Sequence, residues 1–228
     1  MSEHSPMLTT EIAGDVAVLR LDDGKANAIS MDALAALEAA LNRAEKDAKG
    51  VALIGRPGRF SGGFDLAVMR SGDAAAMRNL VKAGAELAIR LYGFPLPVVI
   101  GCSGHAVAMG AVLLMSSDAR VGVAGDFKIG LNEVAIRMTL PMFAVELAQD
   151  RLSRRHLQAA TVQAQLYDPA GAIDAGFLDR VVAPEQLERE AVAEAQRLAQ
   201  LDPAAHHGTK QNLRGPTLER MRASLESF

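Results

Sequence analysis

The sequence predicts an α/β protein with a mixed core followed by a C-terminal helical region. Strand-sized apolar segments alternate with amphipathic helical segments over most of the chain, and helical patterns alone follow. Two glycine-rich segments each join a strand to a helix. We therefore predict a core over residues 1–190 and a helical region over residues 191–228.

Turn and cap residues divide the first half of the chain into elements. Gly14 marks a turn between two strands, Ser30 is a suitable N-cap, and Gly50 ends the helix that Ser30 begins. Leucines recur at helical spacing after Ser30, and two prolines from Pro95 onward end the next helix. The predicted strands are 8–12, 15–21, 51–55 and 98–100, and the predicted helices are 31–49 and 74–92.

The second half contains shorter strands and more helix. Apolar runs predict a helix at 109–116 and strands at 119–123 and 127–129. A turn and strand at 176–182 precede an amphipathic helix. The remaining predicted helices lie within 141–163, at 184–200, and from Pro203 onward.

Composition excludes several functional classes. The 228 residues carry a net charge of −3, with no Trp and two Tyr, which disfavours nucleic acids and acidic membranes as partners. One cysteine excludes an internal disulfide, and His206-His207 has no partner at metal-ligand spacing. No apolar run reaches bilayer length, and the first residues lack the pattern of a signal peptide. We expect a cytoplasmic protein without a metal.

The two glycine-rich segments are the strongest functional signal. Gly58–Leu66 has the sequence GRFSGGFDL, and residues 104–118 have the sequence GHAVAMGAVLLMSSD. Each leads from an apolar strand to a helix start, where backbone N–H groups lack intrahelical partners. Either segment could be a simple connection. Together they could direct two N–H groups at one carbonyl oxygen, the geometry that stabilises an enolate.

Five segments resemble the crotonase (enoyl-CoA hydratase/isomerase) superfamily, in the right order and spacing. They are KANAIS at 25–30, GRFSGGFDL at 58–66, residues 104–118, IGLNEV at 129–134 and AIDAGFLDRVV at 172–182. The resemblance implies a spiral of ββα units whose C-terminal helices pack on neighbours in homotrimers or dimers of trimers. It also implies an acyl-CoA thioester as partner, with coenzyme A as part of the substrate and no other cofactor.

The resemblance also implies which residues form the site. The backbone N–H groups of Phe64 and Met109 would bind the thioester oxygen, although Ala108 and Met109 replace two glycines of the family pattern. Lys25 would lie near a phosphate of coenzyme A, and the Asp65 side chain would cap a helix. The implied substrate-binding and coenzyme A-binding residues are Lys25, Ala26, Asn27, Gly62, Gly63, Asp65, Gly110 and Val112.

The same alignment retains one of the two catalytic glutamates of the hydratases. Glu133 keeps the second position, among apolar neighbours that should raise its pKa. The first position is Val112, which can neither hold a water nor transfer a proton. The expected function is therefore an enzyme of enoyl-CoA hydratase/isomerase type, with isomerisation chemically easier than hydration. A non-catalytic acyl-CoA-binding homologue is the alternative, and a thioester hydrolase is disfavoured because position 112 supplies no nucleophile.

Other residues have open roles. His105 and Cys102 could line the acyl pocket or pack locally, and Asp118 should fix a turn. Arg137 could contact an acidic acyl group or reach solvent, and Lys210 is a weaker phosphate candidate. The segment 138–147, MTLPMFAVEL, replaces a glycine-rich family segment and should reshape the pocket wall. The sequence ends at Phe228, before the family's usual last segment, so substrate choice cannot be inferred from better-known members of the family.

Overall fold

The computed structural model of the protein describes residues 7–227. Within this range the chain forms nine strands and nine α-helices. The strands are β1 Leu8–Ala13, β2 Val16–Leu21, β3 Gly50–Gly55, β4 Gly58–Ser61, β5 Val98–Cys102, β6 Gly104–Val107, β7 Ala119–Val123, β8 Ile129–Gly130 and β9 Arg180–Val182. The helices are α1 Met31–Asp47, α2 Leu66–Met69, α3 Ala74–Tyr92, α4 Met109–Met115, α5 Met142–Arg151, α6 Arg154–Thr161, α7 Pro169–Ala175, α8 Leu187–Leu198 and α9 Pro203–Ser224.

The strands belong to two sheets that share a repeating connection. The large sheet has the order β1-β2-β3-β5-β7-β9, and the small sheet has the order β4-β6-β8. All pairings are parallel except that of β1 with β2. Strands β3, β5 and β7 of the large sheet are each followed by a strand of the small sheet and then by helix. This topology confirms the predicted spiral of ββα units.

The glycine-rich segments contain more regular structure than the sequence predicts. Each was predicted as a turn, but β4 occupies the first half of Gly58–Leu66, and β6 occupies Gly104–Val107. Both strands pair in parallel within the small sheet. Only residues 62–65 and residue 108 remain as turns. The turns are thus fixed on one side by a sheet and on the other by a helix.

Helix α7 is absent from the sequence prediction, although its signals are present. Asp168 accepts a hydrogen bond from the Gly171 N–H, and Pro169 occupies the first turn. Gly176 ends the helix with φ of 96°, a left-handed conformation that favours glycine. Ile173 is the only large apolar residue within Pro169–Ala175, so no helical apolar pattern marks this helix in the sequence.

The predicted boundary between residues 190 and 191 falls inside α8. Leu187, Ala191 and Ala195 of this helix are buried against the large sheet, in a cluster with Ile54 and Val99. The helix therefore covers one face of the sheet and belongs to the core. Helix α9 folds back onto α3 and α5 of the same chain. Assembly into trimers stays a prediction.

The membrane and N-terminal predictions have different outcomes. None of the helices between residues 7 and 227 combines the length and apolarity that a membrane crossing requires. Residues 1–6, part of the segment used to predict the absence of a signal peptide, lie outside the described residues.

A buried ion cluster attaches α9 to the core. Lys210 Nζ lies 2.7 Å from one carboxylate oxygen of Asp118, and Arg214 Nη1 lies 3.0 Å from the other. Asp118 also accepts a hydrogen bond from the Val98 N–H, so it fixes the turn as predicted. Lys210 is 5% exposed and also donates to the Phe94 carbonyl. The prediction that Lys210 binds a phosphate is therefore wrong, because its ammonium is buried and fully engaged.

Replacing Asp118 with Asn should lower the free energy of unfolding by about 3–5 kcal/mol, because two buried cations lose their counter-charge. Asp15→Asn is the control, since Asp15 pairs with Lys49 in solvent, where a pair contributes less than about 1 kcal/mol. Urea unfolding measures both effects. Equal losses in the two variants would contradict the role given to the cluster.

Candidate active site

Segment 26–29 and the first glycine-rich turn form one hydrogen-bonded unit. The Gly62 N–H donates to the Ala26 carbonyl at 2.8 Å, and the Ile29 N–H donates to the Gly63 carbonyl at 2.8 Å. Ile29 and Phe64 form a parallel bridge. The turn therefore has little freedom to move relative to this segment.

Phe64 has the backbone N–H that this unit leaves free. The Gly63 N–H donates to Ser61 Oγ at 3.2 Å, and the Asp65 N–H donates to the Ile29 carbonyl at 3.2 Å. Among the acceptors of residues 7–227, none receives the Phe64 N–H. Phe64 is half-buried, and its N–H is therefore free to donate to a ligand.

Met109 provides the corresponding donor in the second turn. The Ala108 N–H donates to the Gly130 carbonyl at 3.1 Å, and Met109 then begins α4. No acceptor in the described part of the chain receives the Met109 N–H, as expected at a helix start. Ala108 has φ of 50° and ψ of −123°. The turn therefore holds a non-glycine residue at a positive φ, at the cost of backbone strain.

Glycines allow these turns to approach each other. A β-carbon on Gly63, whose φ is 92°, would lie 2.9 Å from the Ala108 β-carbon and 3.5 Å from the Met109 nitrogen. A β-carbon on Gly110 would lie 2.6 Å from the Ser61 carbonyl oxygen. Side chains at either glycine would separate the turns. Phe64 and Met109, whose backbone N–H groups have no acceptor within residues 7–227, line a common space.

That space is a cavity of about 440 Å³. It brings together Phe64, Met109, Val112 and Glu133, which the sequence analysis selected from three separate segments. Glu133 is the only carboxylate, and Arg70 the only cation, among the described residues that line it. The full lining is Gly62, Phe64, Leu66, Met69, Arg70, Val81, Ala108, Met109, Val112, Asn132, Glu133, Ile136, Met138, Pro141, Phe143 and Ala144.

Glu133 is a buried carboxylate beside the cavity. It is 9% exposed, and its Oε2 has no hydrogen-bond partner within residues 7–227. Burial raises the pKa of Glu133, and the N–H groups of Glu133 and Asn132 offset only part of that rise. The predicted direction of the pKa shift is confirmed. A carboxyl of this kind is suited to proton transfer near neutral pH.

The other residues predicted to contact the ligand lie partly at the surface and partly in the core. Lys25 is exposed, and its carbonyl accepts a hydrogen bond from Arg56 Nη1. The buried Asn27 amide instead donates to the Leu21 carbonyl at 2.7 Å, so its side chain holds the protein together. Asp65 accepts from the Ala67 N–H and caps α2, as predicted. Contacts of Lys25, Ala26 and Asn27 with coenzyme A stay predictions.

Three residues with open roles lie outside the cavity lining. Cys102 is buried, and burial raises the pKa of its thiol to about 12. His105 Nδ1 accepts a hydrogen bond from the Lys128 N–H at 3.0 Å. Arg137 is exposed, in the left-handed conformation with φ of 65°. The local and solvent-facing alternatives are therefore the ones observed.

The sequence analysis missed individual residues of the lining. Asn132 has a buried Oδ1 without a partner in the described range, and its only sequence signal is its position beside Glu133. Met138, Pro141, Phe143 and Ala144 come from segment 138–147, which was predicted to reshape the wall. Nothing in the sequence pattern singles out Arg70.

Comparison with known proteins identifies the family. The enoyl-CoA hydratase/isomerase family model matches residues 11–226. A crystal structure of a member of this family from Pseudomonas syringae is 45% identical, with a TM-score of 0.94 over 97% of this chain and 96% of its own. A protein from Mycobacterium tuberculosis, named an enoyl-CoA isomerase in one solved structure and a probable enoyl-CoA hydratase in another, is 38% identical, with a TM-score of 0.92 over 96% of both chains in the first of these. Human mitochondrial enoyl-CoA delta isomerase 1 is 28% identical, over 94% of this chain and 72% of that protein.

The chain therefore belongs to the enoyl-CoA hydratase/isomerase family. It is an enzyme of this family that acts on acyl-CoA thioesters. The resemblance to the crotonase superfamily stated from five sequence segments is confirmed.

Ala108→Gly should raise the free energy of unfolding by about 1 kcal/mol, because glycine adopts the positive φ of this turn without strain. Ala111→Gly is the control within α4, where the same change should lower it by about 1 kcal/mol. Chemical denaturation of both variants measures the difference. Destabilisation of similar size at both positions would contradict strain at Ala108.

Proposed function

We propose that this protein is an enoyl-CoA isomerase that moves a double bond from C3–C4 to C2–C3 of an acyl-CoA thioester. The observation that carries this proposal is that Glu133 is the single carboxylate among the described residues lining a cavity that Phe64 and Met109 also line. The human mitochondrial enoyl-CoA delta isomerase 1 supports it by similarity. Isomerisation needs one proton-transfer group and no added water.

The N–H groups of Phe64 and Met109 bind the thioester oxygen in this proposal. Removing a proton from C2 places negative charge on that oxygen, so donors held in position lower the barrier. The donors belong to two turns that are each braced by backbone hydrogen bonds. They need little reorganisation when the charge develops.

Glu133 transfers the proton. Its carboxylate removes a proton from C2 of the 3-enoyl thioester, and the electrons of that C–H bond form a dienolate. The resulting carboxylic acid returns the proton to C4, which leaves the double bond between C2 and C3. The raised pKa makes the ionised carboxylate a stronger base than an exposed glutamate. Protons and electrons balance without a co-substrate.

The cavity wall favours this reaction over hydration. Val112 is 2% exposed and apolar, and the lining residues supply no second carboxylate to orient a water. A dry site also prevents water from competing for the dienolate. A protein that binds acyl-CoA without turning over any enoyl thioester would instead be the non-catalytic homologue.

Glu133→Gln should reduce kcat for 3-enoyl-CoA isomerisation by about 10²–10⁴-fold, the usual contribution of one acid–base group. In the unsubstituted enzyme, kcat/KM should fall as the pH decreases through the raised pKa of Glu133, because only the carboxylate accepts a proton. That acid limb should lie above the ordinary glutamate range near pH 4.3. Isomerisation by Glu133→Gln at the rate of the unsubstituted enzyme would remove Glu133 from the mechanism.

Val112→Glu should increase the rate of crotonyl-CoA hydration, since a second carboxylate could then orient and activate a water. Val112→Gln is the matched control, with similar size and no charge. Both variants are compared only if circular dichroism shows that they are folded. Equal hydration rates in the two folded variants would contradict the alignment of Val112 with the hydratase glutamate.

A further inference from the structure

Gly84 is a glycine in a place where helix formation favours alanine. It lies in the middle of α3 and is buried. Glycine loses more conformational freedom than alanine when it enters a helix, so its presence there requires another explanation. The space beside Gly84 supplies one.

Two side chains occupy the space that a β-carbon on Gly84 would need. Such a carbon would lie 2.5 Å from Cε1 and Cζ of Phe64 and 3.4 Å from Cε of Met109. Phe64 and Met109 both line the cavity, and their backbone N–H groups have no acceptor within residues 7–227. The side chains of both donors therefore meet at one point on α3.

These side chains are not needed for the hydrogen bonds that the backbone makes. Their packing nevertheless locates the backbone, because a ring in contact with α3 limits where residue 64 can lie. The bridge to Ile29 holds the opposite side of Phe64, and Met109 is 1% exposed. Close-packed contacts of this kind transmit small displacements.

We infer that Gly84 is a positioning residue, whose missing side chain allows α3 to hold both oxyanion donors in register. The inference rests on the proposed function, since it assigns those N–H groups to the thioester oxygen. Helix α3 thereby joins the two glycine-rich turns as a third element that positions the two N–H groups.

The first test is Gly84→Ala. The added methyl must displace the Phe64 ring, so kcat for isomerisation should fall about 10–100-fold while KM changes little. This decrease is smaller than that expected for the loss of a complete oxyanion donor. Gly208→Ala in α9 is the matched control, since a β-carbon there meets no atom within 4 Å. The control should retain full activity. Full activity in Gly84→Ala would overturn the inference.

The second test is rescue. Phe64→Ala keeps the backbone N–H and removes the ring, so it makes room for a methyl at position 84. The double variant Gly84→Ala/Phe64→Ala should have a kcat within about threefold of Phe64→Ala alone. The inference would be overturned if Gly84→Ala lowered kcat by the same factor in the Phe64→Ala background as in the unsubstituted enzyme.

A measurement without turnover separates the two proposals. The infrared carbonyl stretch of bound saturated octanoyl-CoA should shift to lower frequency in the unsubstituted protein and should shift less in Gly84→Ala. In the double variant the shift should equal that in Phe64→Ala alone. This pattern in a protein that isomerises no enoyl-CoA would support Gly84 and contradict the proposed reaction. An active enzyme whose carbonyl shift is unchanged by Gly84→Ala would overturn the inference about Gly84.

Discussion

The close approach of two strand-to-helix turns is the constraint on which the site depends. Residue 63 must lack a side chain, because a β-carbon there would lie 2.9 Å from that of Ala108. The small sheet fixes the preceding strands of both turns, with Gly58–Ser61 beside Gly104–Val107. The ββα spiral repeats the same connection and thereby places two helix starts side by side. The proposed convergence of the Phe64 and Met109 N–H groups follows from that repeat.

The reaction then depends on which functional groups line the cavity. One buried carboxylate with a raised pKa faces a cavity whose other lining residues are mostly apolar. Such a site can transfer a proton between two carbons, but its described lining has no second carboxylate to direct a water. Valine at position 112 and the carboxylate of Glu133 thus support the same proposed reaction.

The sequence was sufficient for the fold and for much of the site, because glycine positions and capping residues have local causes. The predicted helix at residues 74–92 coincides with α3, and Asp65 caps α2 as expected. Lys210 could not be predicted correctly, because its partner Asp118 is distant in the sequence and only the packing of α9 brings them together. The cause of glycine at position 84 is also non-local, because the Phe64 ring that occupies the space of a β-carbon there belongs to another segment.

A crystal structure with a bound 3-enoyl-CoA analogue that resists proton transfer tests the central claim most directly. The account predicts that the thioester oxygen lies about 3 Å from the backbone nitrogens of both Phe64 and Met109. It also predicts that the Glu133 carboxylate lies on one face of the acyl chain, within reach of C2 and C4. A thioester oxygen directed away from both nitrogens, or an acyl chain remote from Glu133, would contradict the account.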